Sequence, residues 1–299
     1  MKKFITKALS AVTACALAFT LAVPSTTLTV NAATSKTQST TKTVNYVALG
    51  DSITEPSNGY VSIVGKGIGA TSVKNFGVSG WDSTDIYRQV KTATDVRAAL
   101  RKADVVTLDV GSNDMTRKLG DIICDTLPCG KSYEAFNAKV TAMQREYNRA
   151  TGYKKVLLGV QMMYKAYQIR NAVYSTTNIN AVNNTFKNNL TGTIKEIKTL
   201  NPNAKIYVGN LYNPYNTAED IKIAGYKVLD QGEVIELWEK TLNKTIASVA
   251  SSTGCTLVDI HPLFKDSSLT IGDGKNNWDP HPNSAGHQAI AKAFLSKMK

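Results

Sequence analysis

Serine, histidine and aspartate occur here in an arrangement that can make a hydrolytic centre. Ser52 follows a short apolar run in "YVALGDSITE" (46–55), and His281 sits in "NWDPHPN" (277–283). A serine hydroxyl becomes a nucleophile when a base takes its proton, and an ester is cleaved when donors hold the oxygen that turns negative. His281 offers the base. Asp279, two residues earlier, offers a carboxylate that can orient the ring. Gly80, at the end of "NFGVSG" (75–80), has no Cβ to keep its N–H from a substrate. Asn113, in "GSND" (111–114), carries an NH2 that can act as a further donor. A helix starting just beyond Ser52 would add the favourable end of its dipole. Alone, Ser52 reads equally well as a turn residue, so the other stretches carry the argument.

Those stretches need elements to bring them together. Apolar runs rich in β-formers recur at Val44–Leu49, Thr71–Val78, Asp104–Val110, Lys155–Val160, Ala204–Gly209 and Cys255–Ile260. Segments of helical period lie between them. Tyr133, Phe136, Val140, Met143 and Tyr147 share one face, and further helices are expected over Gly232–Ser251 and Asn283–Met298. Strands alternating with helices predict an α/β fold with a parallel sheet covered on both faces. In such sheets the binding crevice lies at the carboxyl ends of the strands. Gly50-Asp51-Ser52, Asn75–Gly80 and Gly111–Asp114 each follow a strand directly, and Asp279–Asn283 follows the last strand after a loop. Four separate stretches therefore converge on one sheet edge. Three other stretches read as loops at that edge: Thr116–Lys131, "QMMYKAYQIRNAVY" (161–174) and "NLYNPYN" (210–216). They either shape a pocket or simply pack against the sheet.

The chain divides into three parts. Residues 1–32 combine Lys2, Lys3 and Lys7, an apolar run over Ala8–Val23 and small residues at Val30-Asn31-Ala32. That is the layout of a secretory signal peptide cleaved near Ala32, so an extracellular protein is expected. Residues 33–43 read as a flexible Ser/Thr/Lys-rich linker, and 44–299 as one domain. The formal charge is +12, and removal of the leader's three lysines leaves +9. The basic residues are scattered, which argues against nucleic-acid binding and allows loose association with anionic cell-wall polymers or membrane surfaces. Beyond the leader, Cys124 and Cys129 are close enough in sequence for a local disulfide, and Cys255 is left over. No metal site is expected, since no Cys/His cluster is visible. No pair of carboxylates has a spacing that suggests glycosidic cleavage.

With these residues in view, the chain resembles the SGNH or GDSL hydrolase superfamily over nearly all of 44–299. The resemblance implies a flavodoxin-like three-layer α/β/α sandwich around a central parallel sheet of about five strands. It maps Ser52 to the nucleophile, His281 to the base, and the Ser52 backbone N–H, Gly80 and Asn113 to the oxyanion hole. The family pattern of Asn followed by Ser-Gly four and five positions later selects Gly80 over Gly77. It also places an acid three residues before the histidine, where this chain has Trp278. Either Asp279 reaches the imidazole or the Trp278 backbone carbonyl orients it. Asp279 is preferred.

The remaining acids and histidines read as structural. Asp51 and Asp114 suit loop bracing. His261, in "VDIHPLF", closes the final strand without a following helix start, and His287 lies within the last helix. The expected protein is a monomeric, cofactor-independent serine ester hydrolase acting on short-chain or acetyl esters of carbohydrate, or on lipid esters. A lysophospholipase or acyltransferase on the same site, and a non-catalytic glycan-binding member of the fold, are the alternatives.

Overall fold

The computed structural model describes residues 43–130, 133–218, 220–223, 226–273 and 279–299. The first half of the chain runs β1 (Asn45–Gly50), α1 (Tyr60–Gly67), β2 (Ser72–Asn75), α2 (Ser83–Thr92), α3 (Thr94–Leu100) and β3 (Val105–Asp109). Four helices follow, α4 (Ser112–Thr126), α5 (Tyr133–Arg149), α6 (Gly152–Val173) and α7 (Thr176–Leu200). The chain then forms β4 (Lys205–Gly209), β5 (Ile221–Ile223), β6 (Tyr226–Leu229), α8 (Gln231–Thr253), β7 (Thr256–Val258) and α9 (Ser284–Lys297).

Five strands make one parallel sheet in the order β2-β1-β3-β4-β7, and β5 and β6 form a separate antiparallel ribbon. Alternation along the strands divides the core. Val47 and Leu49 of β1, with Val106 and Leu108 of β3, face buried side chains of α2, α4, α7 and α8. Tyr46 and Ala48, with Tyr207 of β4 and Val258 of β7, face α1 and α9. On that second side the Tyr60 and Phe294 rings stack at 5.3 Å. The result is the three-layer α/β/α sandwich that the resemblance implies, with apolar residues on both sheet faces because both are covered.

Three sequence expectations are corrected. The run Lys155–Val160 is part of α6, not a strand. Its β-forming residues are overruled by a helical stripe in which Met162, Ile169 and Val173 are buried, with Ala166 packed between them. The opposite face of α6 carries Tyr153, Val156, Val160, Tyr164 and Tyr167 at three- and four-residue steps, all exposed. A run apolar on every side has no helical moment to read, which is why strand and helix could not be separated. For the same reason 161–174 is helix and not loop. Residues 116–126 likewise continue α4, whose Met115, Leu119 and Ile122 turn into the core. The stretch 210–216 is a loop, as expected.

The α6 correction predicts opposite responses to substitution. Val160 is 58 % exposed and Ile169 is 2 % exposed. Val160→Lys should change unfolding free energy by less than about 0.5 kcal/mol, and Ile169→Ala should cost about 2–5 kcal/mol. Urea titration checks this. A buried strand at 155–160 would make Val160→Lys the damaging change.

Candidate active site

β1 ends at Gly50, where an added Cβ would lie 2.1 Å from Thr54 Oγ1 and 2.6 Å from the Asp109 carbonyl. Glycine therefore lets the chain fold back at once into a single tight turn. Thr54 N and Glu55 N donate to the Asp51 carbonyl at 3.1 and 3.0 Å, and Ile53 N donates to Asp51 Oδ1 at 3.0 Å. Ser52 sits in this turn. The next helix, α1, begins only at Tyr60, so the expected helix start just behind Ser52 is absent; the local turn presents the serine instead.

The turn is braced from two sides. Asn75 Nδ2 donates to the Thr54 carbonyl at 2.7 Å, while Asn75 Oδ1 accepts from Gly77 N at 2.9 Å. A Cβ at Gly77 would come within 2.6 Å of Glu55 N, so glycine allows the β2 loop to lie against the turn. On the other side Asp51 Oδ2 accepts from Ser112 Oγ at 2.6 Å and from Asn113 Nδ2 at 3.3 Å. Asp51 is fully buried, and burial raises its pKa while the Ser112 and Ile53 hydrogen bonds oppose the rise. It joins the serine turn to the start of α4, in keeping with a structural reading.

Gly80 has φ +76, a left-handed conformation that favours glycine, with open space where a Cβ would project. Conformation, more than room, requires the glycine. Its neighbour Trp81 accepts from Asn113 Nδ2 at 2.9 Å, which ties this loop to α4. Among the described residues, neither the Ser52 nor the Gly80 backbone N–H has a hydrogen-bond partner. Asp114 holds the same junction from below, accepting from Ser83 N at 2.9 Å and from the Ser83 hydroxyl.

The histidine arrives from the other end of the chain. His281 Nε2 lies 2.8 Å from Ser52 Oγ, and His281 Nδ1 lies 2.6 Å from Asp279 Oδ1. The same carboxylate oxygen accepts from His281 N at 3.0 Å. The two-residue spacing therefore closes locally: Asp279 curls over its own loop and meets both the backbone and the ring. With Nδ1–H donating to Asp279, Nε2 is left to accept the serine proton. Trp278, the alternative partner for Nδ1, lies outside the described residues. The loop is anchored by Ile271 N to the His281 carbonyl at 2.8 Å, Gly272 N to the Asp279 carbonyl at 2.9 Å, and Tyr212 O–H to the Pro280 carbonyl at 2.8 Å. The other histidines are engaged elsewhere. His261 Nε2 meets Glu236 at 3.2 Å, and His287 Nδ1 accepts from Tyr60 N at 3.3 Å, packing α9 on α1.

Two hollows meet at the Ser52–His281 pair. One, of about 160 Å³, is walled chiefly by Met115, Leu211, Tyr212, Ile235 and Ile260, with Asp109 and Glu239 deep in its wall. Burial drives both carboxyls well above the usual carboxylate range. Leu211 and Tyr212 come from the loop after β4, for which the sequence left pocket wall and sheet-edge packing both open. The other hollow, of about 540 Å³, is wider and more open, with Asn58, Ser79, Asn283, Ser284 and His287 around it. Cys124 and Cys129 lie away from both. Their sulfurs approach to 3.5 Å, which makes them the neighbours that the sequence spacing suggests.

A parallel α/β sandwich carrying a serine, an imidazole and a carboxylate in one hydrogen-bonded line has the form of a serine hydrolase. The model of the GDSL-like lipase/acylhydrolase family matches residues 48–289, and the chain belongs to that family. It is a carboxylic ester hydrolase. Among solved structures, a lipase from a goat rumen metagenome superposes with a TM-score of 0.55 at 17% identity, covering 85% of this chain and 97% of its own. A phospholipase A1 from Streptomyces albidoflavus NA297 is also similar, with a TM-score of 0.49 at 17% identity over 85% and 98% of the two chains. No curated protein matches the sequence.

The Asp114 junction has a pH signature. Burial raises this carboxyl from 3.8 to about 6, against the pull of its Ser83 hydrogen bonds. A raised folded pKa gives stability that is full below the unfolded value and lost as pH rises through the folded one. Asp114→Asn should therefore gain on the wild type by about 3 kcal/mol between pH 4 and 7, at about 1.4 kcal/mol per unit. Chemical denaturation across that range tests it. Parallel stability curves would contradict it.

Proposed function

We propose that the protein is an exported serine esterase that releases short acyl groups from bulky polar alcohols, carbohydrate hydroxyls among them. The carrying observation is the Ser52–His281–Asp279 line standing where a small hollow meets a broader, more open one. A cavity near 150 Å³ holds a benzene-sized guest, so the smaller hollow suits an acyl chain of about two to six carbons. The wider side, with Asn58, Ser79, Asn283 and Ser284 at its edge, leaves room for a large alcohol. Export is read from residues 1–32. Among the described residues no helix is long and apolar enough to cross a membrane.

Ser52 Oγ attacks the ester carbonyl while His281 Nε2 takes its proton. The carbonyl oxygen becomes an oxyanion held by the Ser52 and Gly80 backbone N–H groups and by Asn113 Nδ2. The Asn113 hydrogen now aimed at Asp51, at 3.3 Å, is the weaker-held of its two and the one that turns to substrate. As the tetrahedral centre collapses, the C–O bond to the alcohol breaks and His281 returns its proton to the leaving oxygen. Water then attacks the acyl-serine, giving a proton to His281. Collapse frees the carboxylic acid and restores the Ser52 hydroxyl. Asp279 keeps the proton on Nδ1 and stabilises the imidazolium.

Chromogenic esters from acetyl to dodecanoyl test both parts. The wild type should turn over acetyl to hexanoyl esters fastest and fall steeply beyond. Ser52→Ala should lose at least about 10⁴-fold in kcat/KM, and Asp279→Asn should lose about 10⁴-fold in kcat. Activity of Ser52→Ala within tenfold of wild type would remove the nucleophile. A rate climbing to dodecanoyl would remove the short-acyl assignment.

A further inference from the structure

We propose that Glu236, Glu239 and His261 form a binding site for one divalent cation of the zinc class, whose Glu239 also lies in the wall of the smaller hollow beside Ser52 and whose ligands include none of Ser52, His281 and Asp279. Glu236 and Glu239 are one turn apart on α8, and so share a face of that helix. His261 opens the short 3-10 turn that follows β7. One ligand atom from each of the three lies within 4.8 Å of the other two. His261 Nε2 and Glu236 Oε2 are 3.2 Å apart, close to the roughly 3.3 Å between neighbouring ligands of a tetrahedral ion with bonds of 2.0–2.1 Å.

The separate observation that points to a ligand is the state of Glu239. It is 2 % exposed, and its Oε2 is buried without a hydrogen-bond partner among the described residues. No lysine or arginine among them pairs with Glu236 or Glu239. A buried carboxyl group with neither donor nor counter-charge is costly, and a second carboxylate beside it makes matters worse. A divalent ion supplies the missing charge to both at once. Glu236 is already held in place by Asn213 Nδ2 at 3.4 Å, an orienting contact of the sort metal ligands need.

The donor set selects the ion. One imidazole and two carboxylates match the nitrogen-and-oxygen sites of Zn²⁺ and similar transition ions, with water completing the shell. Calcium and magnesium prefer oxygen ligands throughout. The role is that of a brace. Phe264, three residues beyond His261, stacks on Tyr212 with centroids 3.7 Å apart, and Tyr212 O–H holds the Pro280 carbonyl beside His281. An ion joining α8 to this turn would steady the loop that carries the base. The sequence hides such a site because its ligands come from two elements, with β7 between them.

The test uses the full chain, stripped with a chelator and dialysed, and does not depend on esterase activity. Binding of Zn²⁺, Mn²⁺, Ca²⁺ and Mg²⁺ is followed by calorimetry and by thermal midpoint. One Zn²⁺ should bind per chain and raise the midpoint, with Ca²⁺ and Mg²⁺ giving no comparable shift. Glu239→Gln keeps the side-chain shape while removing the charge. It should remain folded by circular dichroism, be at least as stable as the stripped wild type, and bind Zn²⁺ at least tenfold more weakly. His261→Ala should show the same weakening, whereas Cys124→Ser/Cys129→Ser, which removes the thiol pair as a competing site, should bind as the wild type does. The proposal is overturned by absence of Zn²⁺ binding in the wild type, by a response to calcium stronger than to zinc, or by Zn²⁺ affinity unchanged in Glu239→Gln and His261→Ala.

Discussion

The hydrogen bond between Ser52 Oγ and His281 Nε2, 2.8 Å long, joins residues 229 apart in sequence. Neither residue is near the other until a parallel sheet is built between them. A hydrogen bond of this kind contributes about 1 kcal/mol net, far too little to assemble the domain that holds it. The domain is stabilised instead by two apolar layers, one on each sheet face, and the active site takes its geometry from them. Ser52 leaves the end of β1, and His281 enters just before α9, whose Phe294 stacks on Tyr60 of α1. Packing α9 on α1 thus sets the distance between the Ser52 hydroxyl and the His281 imidazole.

Polar side chains refine what packing provides. Asp51, Asp114 and Asn75 each tie one crevice loop to the next, so that the turn after β1, the loop after β2 and the start of α4 form one continuous frame. Asp51 is fully buried at a cost, and hydrogen bonds on two or more sides offset it. Among the described residues, Glu239 Oε2 and Gln89 Oε1 are buried without such a bond. The frame leaves the Ser52 and Gly80 N–H groups uncommitted, which is the arrangement a developing oxyanion requires.

Much of the frame was legible in the sequence because the chemistry follows strand ends. Ser52, Gly80 and Asn113 each come directly after a β-rich run, and a parallel sheet lines such positions along one edge. Asp279 was harder to read. A two-residue spacing does not reveal that the carboxylate can curl back to the ring. Lys155–Val160 misled for a physical reason: α6 is apolar on its buried and its exposed faces, so no period marks it as a helix. The turn at Ser52 also looks like a helix start in sequence, while Pro56, Ser57, Asn58 and Gly59 delay α1 until Tyr60. Glu236, Glu239 and His261 have no spacing that signals their proximity, which appears only when α8 and the turn after β7 are placed side by side.

The central claim is that Ser52 is made nucleophilic by His281, and covalent labelling tests it most directly. A fluorophosphonate ester phosphonylates an activated serine, and intact-mass measurement with peptide mapping locates the adduct. The account predicts one adduct per chain, on Ser52, absent from Ser52→Ala and formed far more slowly in His281→Ala. An adduct on another residue, or equal labelling of the His281→Ala protein, would contradict it.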